Sequence, residues 1–272
     1  MPEGPEIRRA ADEIARVLAD KVITTVQFGL PALKREAARL RGHRVVEVET
    51  RGKALLTHFE HGWSIYSHNQ LYGIWRICRG HDLPPSSRSL RLLLQTAEHS
   101  ALLYSASDIS VWRTEDLSRH PFLARIGPDI MNSELTWRDI ASRLAAREFT
   151  NRSLASLYLD QAFLAGVGNY LRTEILFDAG LHPRRRASGL GRGERGRLAR
   201  STLRISRRSY ETGGITLAPR LMRSLASAGK PYETRRFAAF GRTGLPCYRC
   251  GNPVSRHEVG SRRIYWCTGC QC

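Results

Sequence analysis

The chain has 272 residues, 42% of them hydrophobic, enough for one large or two ordinary cores, and this composition excludes a disordered or fibrous protein. Its apolar runs are only strand-length and no charged, apolar, small-residue leader opens it, so it reads as a soluble, unexported protein. The net charge of +18 is lopsided: residues 183–263 hold twenty Arg/Lys against four Glu, and all of those basic residues but Lys230 are arginine. Arginine suits bidentate phosphate contacts, and no basic amphipathic helix with an apolar aromatic face appears. The expected polyanion is nucleic acid and not a membrane.

The chain opens Met1-Pro2-Glu3-Gly4-Pro5-Glu6. Removing Met1 leaves a proline secondary amine beside a carboxylate. An α-amine holds its proton less tightly than a lysine, so part of it is neutral and nucleophilic near neutral pH. Attack by a secondary amine on an aldehyde carbon gives an iminium, an electron sink for elimination. Pro5 suits the first turn of a helix, and Ile7, Ala11, Ile14 and Leu18 follow at helical spacing.

Short β-rich runs occupy residues 21–114: Lys21–Gly29, His43–Thr50, Lys53–Phe59, Trp63–Ser67, Tyr72–Cys78, Leu90–Thr96 and Ala101–Ser105. Seven or eight strands at this spacing predict a two-sheet sandwich. The texture changes near Asn132–Leu135. Thr136 with Asp139 three residues later predicts a capping box and a helix to about Ala146. Asn151 is expected to start a helix reaching about Phe163. The Gly166-Val167-Gly168-Asn169 turn leads into another that ends near Gly180, with Asn169 as N-cap. This is a helix–two turns–helix pattern over about 151–180. Residues 184–197 read as an Arg/Gly-rich loop, followed by a helix to about Tyr210 and a loosely patterned stretch, Glu211–Arg236.

Cys247-x-x-Cys250 and Cys267-x-x-Cys270 are separated by sixteen residues. Two such knuckles converge on one tetrahedral zinc, and a four-thiolate shell leaves no position for water, so the predicted zinc is structural. Cys78 and Cys272 are not needed as ligands. The fold class expected is α+β and multidomain: residues 1–132 an N-terminal helix and β-sandwich, 133–236 a helical domain, and 237–272 a β-hairpin zinc finger.

Five ordered motifs carry a resemblance over essentially the whole chain: Met-Pro-Glu-Gly-Pro-Glu at the start, Glu49-Thr-Arg-Gly-Lys-Ala-Leu-Leu, Tyr66-Ser-His-Asn-Gln-Leu-Tyr-Gly, Asp160-Gln-Ala-Phe-Leu-Ala-Gly-Val-Gly-Asn-Tyr-Leu-Arg and the cysteine finger. On these the chain resembles the endonuclease VIII branch of the formamidopyrimidine-DNA glycosylase/endonuclease VIII family. The resemblance implies a monomeric bacterial base-excision repair enzyme, cytoplasmic and nucleoid-associated, that acts mainly on damaged duplex DNA. It implies that Pro2 attacks C1′ of a flipped nucleotide, Glu3 is the proton donor at the sugar, Lys53 serves β-elimination and Arg262 the δ step. Arg263, beside it, leaves the register open. Gln70, Leu71 and Tyr72 match the branch's void-filling triplet, which favours oxidised pyrimidines, although Leu71-Tyr72 alone would read as the start of a packed strand. Arg125 and Asn169 match DNA-contacting positions. His68 and His120 are left structural. The stretch Thr216–Pro231 departs from the family pattern. Two other readings of the same residues are a non-catalytic zinc-finger nucleic-acid binder and the same enzyme with oxidised purines as its main substrate.

Overall fold

A computed structural model of the chain describes residues 2–259 and 262–272. They pack as two compact units, Pro2 with Glu6–Arg125 and Glu3–Pro5 with Ile126–Cys272. The helical stretch and the cysteine module thus share the second unit.

In the first unit the helical spacing of Ile7, Ala11, Ile14 and Leu18 becomes the buried stripe of α1 (Gly4–Leu18), each residue at most 1% exposed. Helix α2 (Ala37–Leu40) is a single turn. Strands β1 (Thr25–Phe28), β5 (Ile74–Arg79), β6 (Leu90–Gln95) and β7 (His99–Tyr104) form one antiparallel sheet in the order β1-β6-β7-β5. Strands β2 (Val45–Arg51), β3 (Ala54–Phe59), β4 (Trp63–His68) and β8 (Asp108–Arg113) form the other, in sequential order, also antiparallel. The α1 stripe, Phe28, Leu55, Ile65, Leu92, Leu94 and Leu103 make one core, as the sandwich pattern requires. Alternation puts Tyr66 and Leu56 on the opposite face of the second sheet, where Leu117, Trp112 and Phe122 cover them. Strand β5 begins at Ile74 instead of Tyr72, because Gly73 N–H donates to Asn69 O (2.7 Å) and closes a turn that keeps residues 70–72 out of the ladder.

The second unit starts as expected. Helix α3 (Trp137–Ala145) opens on the Thr136/Asp139 capping box, with both reciprocal hydrogen bonds made. Of the helix predicted over 151–163 only the single turn α5 (Leu154–Leu157) forms, and the turn α4 (Arg147–Thr150) lies before it. Side chains cause the break. Ser153 Oγ accepts the Ser156 N–H and Asp160 Oδ1 accepts the Ala162 N–H, offering the backbone partners that compete with a continuing helix. Helix α6 (Asn169–Ala179) is buried along nearly its whole length. Helix α7 (Arg192–Thr212) begins inside the stretch expected to be a loop, because the Glu194 carboxylate accepts the Gly191 N–H (2.9 Å) and is itself held by Arg185. The loosely patterned stretch contains α8 (Pro219–Ser227). Strands β9 (Val254–Val259) and β10 (Arg262–Cys267) pair as an antiparallel hairpin. Period-two alternation divides β10: Ile264 and Trp266 join the helical core, while Tyr265 and Cys267 pack with Phe177, Ala239, Cys247 and Val254.

One buried carboxylate ties these pieces together. Glu174 of α6, 1% exposed, accepts N–H groups from Ala238 (2.8 Å), Ala239 (2.8 Å) and Phe240 (2.9 Å) and the Thr216 hydroxyl (2.6 Å). It fixes the segment leading into the hairpin against α6.

Candidate active site and metal centre

Glu3 is 3% exposed and its carboxylate lies at the N-terminus of α6. Oε2 accepts the Gly168 N–H (2.8 Å) and the Leu171 N–H (3.2 Å), and Oε1 accepts the Tyr170 N–H (2.9 Å). These are the orphan donors of a helix start, so a side chain 165 residues upstream supplies the cap. Asn169, expected as the N-cap, is the first helical residue, and Gly168 precedes the helix instead. A side chain at 168 is excluded by space: a Cβ there would lie 2.3 Å from Glu3 Cδ. Three N–H donors at the positive end of a helix stabilise negative charge on this carboxylate. A group so held must gain a proton before it can give one.

Asn169 turns its Oδ1 to Arg172 Nη2. Arg172 is fully buried, also donates to Ala155 O (2.8 Å) and Arg263 O (3.1 Å), and reaches from α6 to the hairpin. Burial pulls its guanidinium down to about 10; Glu3 opposes that shift and Arg262 adds to it. The field of Arg262 therefore reaches this buried group. Arg262 lies on the same side of β10 as Ile264 and Trp266, whereas Arg263 alternates to the other side, opposite Glu258. That distinguishes the two arginines whose register the sequence left open. Sequence reading assigned no role to Arg172 or Glu174. Both stand in polar positions of a helix whose burial on all sides only the tertiary structure reveals.

The first unit presents a second group. Gly52-Lys53 is the tight turn between β2 and β3, with Arg51 paired to Ala54. Across the ladder, Ala54 pairs with His68, and the Lys53 ammonium acts on the His68 ring. Beyond His68 the chain turns out: Gln70 has a left-handed backbone (φ 51°), and Leu71 and Tyr72 are 49% and 69% exposed. They project from the surface and do not pack in the sandwich. Arg125 is exposed at the end of the turn Leu123–Arg125, its Nε donating to Pro121 O (2.8 Å). The predicted residues thus gather as Lys53 with Gln70, Leu71 and Tyr72 in one unit, and Glu3, Asn169 and Arg262 in the other. Pro2 belongs to the first unit; Met1, whose removal frees its amine, lies outside the described residues.

The sulfurs of Cys247, Cys250, Cys267 and Cys270 lie within 4.8 Å of one another, with Cys247–Cys270 at 3.8 Å and Cys250–Cys267 at 3.3 Å. A tetrahedron with metal–sulfur bonds of about 2.3 Å has edges of about 3.8 Å. The four thiols therefore fit one metal ion. Cys272 is exposed outside this cluster and Cys78 is half-buried in β5.

Histidines set a pH limit on the fold. In His68, His120 and His182, Nδ1 accepts the backbone N–H two residues on, from Gln70 (2.9 Å), Phe122 (3.2 Å) and Arg184 (3.2 Å). Burial pushes all three imidazoles below their ordinary value, and His61 likewise. The rings are neutral in the fold, and unfolding takes up protons. Stability is therefore complete above about pH 6.5 and is lost as the pH falls from there through the lower folded values. Thermal unfolding should show a midpoint that drops between pH 7 and pH 5.5; a flat profile there would contradict the neutral-ring assignment.

Comparison with known proteins follows the same division. Residues 1–107 match the formamidopyrimidine-DNA glycosylase N-terminal domain and residues 126–220 the formamidopyrimidine-DNA glycosylase H2TH domain. Proteins named endonuclease 8 from Shigella sonnei and Escherichia coli O9:H4 are each 47% identical over 271 residues, covering 100% of both chains. One from Enterobacter sp. strain 638 is 46% identical over the same span. Among solved structures, Lactococcus lactis formamidopyrimidine-DNA glycosylase non-covalently bound to AP-site DNA superposes with a TM-score of 0.81 over 99% of each chain, at 20% identity. MutM in complex with DNA containing carbocyclic 8-oxo-G gives 0.81 over 100% of each chain, at 21% identity. These two likenesses establish the fold.

Proposed function

Because the chain belongs to the formamidopyrimidine-DNA glycosylase/endonuclease VIII family, we propose that it is a bifunctional DNA glycosylase and AP lyase of base-excision repair that removes oxidised pyrimidines. The observation that carries the reading is the fastening of Glu3, the neighbour of the Pro2 amine, to the start of α6 by three N–H groups. Capping α6 would serve a pure binder as well, but only an enzyme that uses the terminal amine needs that carboxylate at the residue beside it.

The target nucleotide leaves the stack, because C1′ in a duplex is shielded from an enzyme-borne amine. Neutral Pro2 attacks C1′, the base departs, and the sugar ring opens to an iminium. Glu3, ionised at rest, takes the proton that the Pro2 nitrogen loses and gives it to the sugar's ring oxygen as the ring opens, while the departing base is protonated by solvent. Loss of a C2′ proton expels the 3′ phosphate with Lys53 moving protons at the β step, and δ-elimination with Arg262 expels the 5′ phosphate. Gln70, Leu71 and Tyr72 fill the vacated stack, and their exposure leaves them available for it. Arg125 and Asn169 hold the DNA backbone. The four cysteines hold zinc, which braces the hairpin carrying Arg262 and takes no part in the chemistry. The enzyme works on chromosomal DNA in the bacterial cytoplasm.

Borohydride reduction of the wild-type protein with abasic duplex should give a covalent protein–DNA product, and its absence would leave only a binding module. Affinity for abasic duplex should also fall with salt at about 0.9 log unit per log unit for each phosphate contacted. Arg262→Ala should lower that slope by about one unit, without regard to flanking sequence. A salt-independent affinity would exclude the phosphate-clamping role.

A further inference from the structure

We propose that His68 is a positioning residue: its Nδ1 clamps the turn that presents Leu71 and Tyr72, so that the wedge is preformed before DNA arrives. The inference rests on the glycosylase reading above and adds a role for a side chain that neither the sequence nor the mechanism uses.

The geometry is that of a braced turn. Gln70 sits in the left-handed backbone region (φ 51°), which a side chain with a Cβ disfavours and which needs holding. Three contacts hold it. The Gln70 N–H donates to His68 Nδ1 (2.9 Å), the Ser107 hydroxyl donates to Gln70 Oε1 (2.8 Å), and the Gly73 N–H closes the turn on Asn69 O (2.7 Å). Gly73 admits no side chain, since a Cβ would lie 2.4 Å from that same oxygen. Arg88 Nη1 steadies the far end through Tyr72 O (2.9 Å). Leu71 and Tyr72 thus owe their placement to polar anchors beneath them, because they have little packing of their own.

The His68 ring is itself fixed. It is the last residue of β4, paired to Ala54 of β3 and Asp108 of β8, and Phe122 meets it edge-on at 5.7 Å. The charged groups that act on it are Lys53 from the β2–β3 turn and Asp108 from β8; His120, whose ring lies tilted 3.9 Å from that of Tyr66, feels the same Asp108. His68 thus stands where the ladder brings the turn bearing Lys53 beside the turn bearing the wedge. The clamp requires a neutral ring, because a protonated Nδ1 would confront the Gln70 N–H with a second donor. A preformed wedge lowers the ordering cost of insertion, and this advantage exists only where a helix has a hole to fill.

The test compares strand cleavage at an abasic site in duplex and in single-stranded DNA, which involves the same chemistry with and without a hole. His68→Ala should slow the duplex reaction by about tenfold, the equivalent of one lost backbone hydrogen bond, and leave the single-strand rate within about threefold. Asparagine places an acceptor oxygen near the former Nδ1, so His68→Asn should restore the duplex rate to within about threefold of wild type. Ser107→Ala, an exposed and milder change, should shift the duplex-to-single-strand ratio in the same direction. In wild type that ratio should fall on acidification as His68 protonates, whereas in His68→Asn it should stay level; protonation of Pro2 affects both substrates and cancels. Equal slowing on both DNA forms, no slowing on either, or failure of Asn to restore the rate would each overturn the clamp. If His68→Ala does not fold, an unchanged ratio in Ser107→Ala overturns it. A wild-type protein that forms no borohydride-trapped complex refutes the enzyme reading itself, whereas trapping with an unaltered ratio in the variants refutes only the clamp.

Discussion

Glu3→Gln should abolish release of dihydrouracil from duplex DNA, by about 10²–10⁴-fold, while cleavage of a preformed abasic site persists. Base loss with ring opening needs a proton delivered at the sugar, whereas an abasic aldehyde already has an open form for the amine to attack. The structure adds a second consequence. Both carboxylate oxygens are used, by the N–H groups of Gly168, Tyr170 and Leu171, so an amide must turn its NH₂ toward at least one of them. A buried donor left unpaired costs about 1–3 kcal/mol, and the variant should unfold at a lower temperature as well. Pro2→Gly separates the proposed nucleophile from the proposed proton carrier: it should reduce both cleavage and the borohydride-trapped complex without that loss of stability. Single-turnover assays on dihydrouracil and abasic duplexes decide the matter. Equal loss of both activities in Glu3→Gln would detach the carboxylate from base release, and trapping abolished by a Lys53 variant but intact in Pro2→Gly would move the nucleophile.

Removal of the metal should have the second large effect. Cys247 and Cys267 are buried in the small cluster with Phe177, Ala239, Val254 and Tyr265, Cys270 packs half-buried against it, and Cys250 completes the site from an exposed turn. That cluster is too small to hold a hairpin in place once the metal that cross-links its two cysteine pairs is gone, and structural zinc in comparable peptides contributes about 10–16 kcal/mol of apparent binding free energy. A chelator that demonstrably strips the metal, or Cys267→Ser, should therefore release β9 and β10 and weaken DNA binding by more than the loss of Arg262 alone. The sandwich of the first unit has its own core and should keep its strand signature in circular dichroism. Unchanged DNA affinity after proven metal loss would show that the hairpin does not depend on the metal.

Much of the architecture was determined locally and could be read from the chain. The stripe Ile7–Ala11–Ile14–Leu18, the short alternating strands, the Thr136 capping box and the paired Cys-x-x-Cys knuckles each depend on residues a few positions apart, where periodicity, turn chemistry and ligand spacing act without help. The helix predicted over 151–163 failed because Ser153 and Asp160 bond their own backbone, a competition that periodicity does not register. What only the tertiary structure decided involves partners far apart in sequence. Asn169 has the residue type of an N-cap, yet α6 is capped by Glu3, because an ionised carboxylate delivered by the chain's start accepts three donors at once while an amide oxygen accepts fewer and more weakly. Arg172 and Glu174 look like solvent-facing residues of an amphipathic helix, and burial of α6 on all sides converts them into internal fasteners. Arg262 and Arg263 are equivalent as letters, and hairpin register alone puts one on the side of the helical core and the other opposite Glu258. His68 is one imidazole among nine in the sequence; its role follows from the Gln70 N–H and Lys53 that the β-ladder brings to it, since hydrogen bonds and charge act through space and not along the chain.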